Sequence, residues 1–74
     1  MANKQSRGRV SIFRNKEGGD RVQGILTKAG SQRFHAARKR LAELAGRDLE
    51  LVSDADVIEY LARGDEETAR YLKA

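Results

Sequence analysis

The sequence predicts a small α+β domain: a short β-strand or hairpin, then two main α-helices, with room for a short C-terminal helix. Three observations carry this. Two β-prone runs flank a Gly-Gly turn, an apolar stripe at helical spacing occupies residues 31–45, and a Ser-capped apolar pattern opens at residue 53. At 74 residues the chain reads as one domain, too short to bury much of its surface without a staple or a partner. It has no Cys and one His, so disulfides, thiolate sites and a His-rich metal site have no ligands to draw on. Oligomerisation is the remaining staple, and a homodimer is expected. No cofactor is expected either.

The elements follow in order. Residues 1–20 read as a basic N-terminal arm, of which Met1–Arg9 is polar and without periodicity and Val10–Arg14 forms a short β-prone run. Asn15–Asp20 is a turn, because Gly18 and Gly19 can adopt positive φ at no steric cost. Arg21–Lys28 is a second extended segment, and the simplest local structure pairs the two runs as a hairpin. The alternative makes only the second run a strand, with a mobile arm before it. In a strand, Val22, Gly24 and Leu26 would face one way and Arg21, Gln23, Ile25 and Thr27 the other.

Ser31 is a good N-cap and Gly46 a good C-terminal stop for the first helix. Between them Phe34, Ala37, Leu41, Leu44 and Ala45 share one stripe, flanked by Arg33 and Arg40 on one side and by Arg38 and Lys39 on the other. After the connector Arg47–Val52, Ser53 caps a second helix with Asp56 at the third position, in a capping-box pattern. Val57, Ile58 and Leu61 are its expected buried face, with Tyr60 and Ala62 at the margins. Gly64 ends it, and residues 64–74 form an acidic helix or tail carrying Ala69 and Leu72.

Charge divides the chain. Residues 1–40 hold eleven Lys and Arg against Glu17 and Asp20, a net of +9; residues 41–74 hold four bases against nine acids, a net of −5. Such a one-sided field is the electrostatic footprint of a polyanion binder. Catalysis has little to work with. Nothing positions a nucleophile or an orienting acid beside His35, which reads as a helix-flank residue that touches phosphate when protonated. The paired carboxylates (Asp54/Asp56; Asp65, Glu66, Glu67) stand at helix starts, where the macrodipole favours acids. Gly18-Gly19 lacks the Lys-Ser/Thr ending of a phosphate-cradling loop. The chain reads as a non-enzyme. With no membrane-length apolar run and no apolar leader, a cytoplasmic setting in a bacterial, plasmid or phage context is expected.

Arg and Gln are the side chains that read guanine and adenine edges in the major groove, and a two-stranded ribbon fits that groove. The polar face Arg21/Gln23/Thr27 suits that task, although the solvated face of an ordinary hairpin would look the same.

On these residues the strand–helix–helix order of 21–63 resembles the ribbon-helix-helix DNA-binding family. That resemblance implies an intertwined homodimer whose ribbon enters the major groove. Arg21, Gln23 and Thr27 would contact bases, and the backbone around Ser53 and Asp54 would clamp a phosphate. It implies a sequence-specific repressor of double-stranded DNA. Lys4, Arg7, Arg9, Arg14, Lys16, Lys28, Arg33, Arg38, Lys39, Arg40 and Ser53 would supply the backbone contacts, and the acidic half would face away, towards a second protein partner. Two alternatives remain: a monomeric basic β-hairpin on a helical pair that holds DNA or RNA by charge, and a protein-interaction module such as an inhibitor or adaptor.

Overall fold

A computed structural model describes residues 11–13 and 18–73. The described chain is all-helical: α1 (Lys28–Ala45), α2 (Asp54–Arg63) and α3 (Asp65–Lys73), with one 3-10 turn at Leu49–Leu51 in the connector between the first two. The expectation of an α+β domain is therefore corrected, since the described residues contain no strand, hairpin or sheet.

The physical reason lies in what each predicted run does with its apolar side chains. Ile12 and Phe13 are buried in the core rather than facing a partner strand, and the Ile12 N–H donates to the Asp56 carboxylate at 3.0 Å. With the first run used as a plug between helices, the second has no ladder to join. Residues 21–27 stay irregular and exposed, Ile25 completely so. Gly18, in the turn before them, takes φ +82°, as the Gly-Gly pair suggests.

α1 begins four residues earlier than a cap at Ser31 predicts. Thr27 is the N-cap, its Oγ1 accepting from the Gly30 N–H at 3.0 Å, while the Ser31 N–H donates to the Thr27 carbonyl at 2.8 Å. Lys28 and Ala29 favour the helix, and Gly30, an intrinsically poor helix former, leaves open the space beside Thr27 Oγ1 that a Cβ would meet at 3.2 Å. It ends where expected. Gly46 adopts φ +66°, a left-handed conformation cheap only for glycine, and the Arg47 N–H closes back on the Ala42 carbonyl at 3.0 Å.

α2 opens at the predicted Ser53, whose Oγ accepts from the Asp56 N–H at 3.2 Å. The reciprocal half of the capping box is replaced by a tertiary contact. Asp56 is 1% exposed and accepts from the Ser11 hydroxyl at 2.8 Å as well as from Ile12. Consequently α2 buries Asp56, Val57 and Tyr60, leaving Ile58 half-buried and Leu61 exposed, a different face from the predicted Val57/Ile58/Leu61. Gly64, at φ +96°, separates α2 from α3.

The core gathers Ile12, Phe13, Ala37, Leu41, Ala42, Val52, Val57 and Tyr60, with Phe34, Leu44, Ala45, Tyr71 and Leu72 packed around them. Leu41 and Val57 are completely buried, each contributing about 1.5–3 kcal/mol of transfer free energy. Phe13 meets the Tyr71 ring at a centroid distance of 5.3 Å, and the Arg63 guanidinium covers both rings at 4.9 and 4.8 Å. That cation spans α2, α3 and the N-terminal plug at one point, and its Nε also holds Glu59 at 2.8 Å.

Candidate nucleic-acid interface

The cations of α1 fall into two sets, and the geometry of each follows from its position around the helix. Arg38 and Arg40 lie toward the flanks of the packed stripe, within reach of the other helices. The Arg38 guanidinium donates to the Val52 carbonyl and to Asp54, and stands 5.6 Å over the Phe34 ring. Arg40 pairs with Asp65 through Nε at 2.9 Å and Nη2 at 3.3 Å, with Glu43 3.7 Å away. Both were expected to contact DNA backbone; both have intramolecular partners that tie α1 to the starts of α2 and α3.

Asp65 is the shared acceptor of that second tie, since the Tyr60 hydroxyl also donates to it at 2.6 Å. The hydrogen bond from Arg40, then the one from Tyr60, holds its carboxyl below the ordinary aspartate range. Burial, reinforced by the bond to Asp65, pushes the Tyr60 phenol up to about 12. Elsewhere in the acidic half, Arg70 pairs with Glu67 at 2.7 Å. Arg38, Arg40 and Arg70 are thus each matched to carboxylates within the chain.

The second set points outward. Lys28, Gln32, His35 and Lys39 recur at intervals of four, three and four residues, placing them on one stripe opposite the buried Ala37 and Leu41. All four are exposed, spread over about 16 Å of helix at 1.5 Å per residue. Arg33 is exposed on a different side of α1, the flank it shares with Arg40, and Arg21 is exposed on the extended segment. None of Arg21, Lys28, Arg33 and Lys39 forms an ion pair among the described residues. α1 carries no acid in its first turn, so the positive end of its dipole adds to the field at Lys28. By contrast α2 and α3 open on Asp54 and Asp56, and on Asp65, Glu66 and Glu67.

The remaining predicted contacts are distributed as follows. Gln23 is exposed; Thr27 caps α1 and Ser53 caps α2, so both hydroxyls accept from backbone N–H groups. Lys4, Arg7, Arg9, Arg14 and Lys16 lie outside the described residues. Val22–Leu26 border an open groove of about 480 Å³ together with Phe34, Asp54 and Ile58, and Val22, Ile25 and Leu26 are more than half exposed there. Sequence reasoning passed over Gln32, whose i, i+4 relation to Lys28 and i, i+3 relation to His35 was the available signal.

Among the described residues no cluster of His, Asp or Glu could hold a metal ion, and no helix is long and apolar enough to cross a membrane. Comparison with protein-family models, with curated proteins and with solved structures finds no match to this chain.

Proposed function

We propose that this chain binds double-stranded DNA through its basic N-terminal half, as a homodimer that acts by occupying its site in the manner of a repressor. The supporting observation is the division of the cations. Arg38 and Arg40 are neutralised by Asp54 and Asp65, whereas Arg21, Lys28, Arg33 and Lys39 are exposed and carry no acidic partner among the described residues. Unpaired cations along α1, with Lys28 at its N-terminus, suit phosphate. Arg21 and Gln23 supply base-edge contacts from the extended segment. A second copy covers Val22, Ile25 and Leu26, whose joint exposure is otherwise a solubility liability.

Three phosphate-contacting cations per chain (Lys28, Arg33 and Lys39), six in the dimer, give a log–log salt slope of about −5.4, so binding weakens roughly 1,800-fold between about 50 and 200 mM salt. Fluorescence anisotropy of the protein on random and upstream duplexes tests this. A slope near zero, or no binding at the lower salt, refutes the reading. Sedimentation of the free protein tests the dimer, and a monomer at micromolar concentration would contradict it.

A further inference from the structure

We infer that α1 itself enters the major groove, with Gln32 and His35 on base edges and Lys28 and Lys39 on the phosphates to either side; this rests on the DNA-binding reading above. The stripe has the composition that task needs. Its centre carries an amide, which can meet adenine N6 and N7 with two hydrogen bonds, and an imidazole one turn on, which can meet base or phosphate acceptors. Its ends carry the two lysines, and exposed Ala36 beside Gln32 adds no bulk between helix backbone and base pairs.

The packing leaves this face open. The helix turns Ala37 and Leu41 inward, and Val22–Leu26 lie along the side where Phe34 and Ile58 stand. The side chains of the outward stripe are exposed over about 16 Å, against a groove about 12 Å wide that admits an α-helix. Charge complementarity favours DNA over an acidic protein surface, because cations bracket the polar pair lengthwise and match phosphates on both rims of a groove.

The test begins with a randomised duplex library, from which the wild-type protein selects a preferred sequence. Gln32→Ala should then lower the ratio of preferred to random duplex affinity by about 5- to 150-fold, with random-duplex affinity retained. Lys28→Ala and Lys39→Ala should weaken both duplexes alike, each flattening the salt slope of the dimer by about 1.8, two contacts at about 0.9 each. Replacing adenine by 7-deazaadenine in the selected duplex, which removes the N7 acceptor from the major groove, should weaken binding. All four substituted positions (Lys28, Gln32, His35 and Lys39) are exposed, and unchanged helical circular dichroism confirms the fold. A preference that survives both Gln32→Ala and His35→Ala, or a library yielding no preferred sequence while binding persists, overturns groove entry by α1 and leaves DNA binding standing. Failure to bind any duplex overturns both.

Discussion

Asp56→Ala should unfold this domain more readily than any loss of helix capping could explain. The carboxylate is 1% exposed and accepts from the Ser11 hydroxyl at 2.8 Å and the Ile12 N–H at 3.0 Å, across more than forty residues of sequence. Alanine leaves the buried Ile12 N–H without its acceptor, a cost of about 1–3 kcal/mol, and removes a second bond to a charged group worth about 1.5–3 kcal/mol. Allowing for relaxation, about 3 kcal/mol is expected, which for a domain of this size lowers the melting temperature by about 12–24 °C. Far-UV circular dichroism on heating at neutral pH reads it. In a double-mutant cycle, Ser11→Ala should couple to Asp56→Ala by at least about 0.5 kcal/mol, since the two share one bond. Asp56→Ala within about 0.5 kcal/mol of the parent would show that the carboxylate does not anchor the plug.

Other expectations follow from the same geometry. Because the Tyr60 phenol is raised from 10.0 to about 12 in the fold, the unfolded chain loses its proton first. Stability is thus full below pH 10 and declines as pH rises through 12; in alkaline denaturation Tyr60→Phe should flatten that decline. Asp65 is shifted the other way, so its contribution is present above the ordinary value of 3.8 and is lost as pH falls through its lower folded value. Asp65→Asn should reduce the acid slope of denaturant midpoints. Gly46→Ala forces a side chain into φ +66° and should cost about 1–2 kcal/mol, measured by urea unfolding.

How much of this was legible in the sequence depended on whether the deciding contact was local. Gly46, Ser53 and Gly64 mark helix ends correctly because capping is settled within a few residues, and the Ala37/Leu41 stripe is a matter of spacing alone. Thr27 and Ser31 are both residue types that cap, and the helix takes Thr27, whose Oγ1 accepts from the Gly30 N–H. The apolar pair Ile12-Phe13 was ambiguous in kind: a short run serves equally as half a hairpin or as a plug. What decides is Asp56, distant in sequence and read there as an ordinary capping acid. The same contact turns α2 so that Tyr60 is buried and Leu61 is not. Of the candidate interface, Lys28, Arg33 and Lys39 were found from charge, whereas the diversion of Arg38 and Arg40 onto Asp54 and Asp65 required the packing of α1 against its neighbours. Gln32 carried no charge signal and drew no reading, and His35 read only as a helix-flank residue that touches phosphate when protonated.

The central claim is that the outward face of α1 meets double-stranded DNA, and amide-resolved NMR titration with a duplex tests it most directly. The account predicts that signals of Lys28, Gln32, His35 and Lys39 shift together and revert as salt is added, while those of the acidic α3 stay in place. Shifts concentrated on α3, or on none of these residues at saturating duplex, would contradict it.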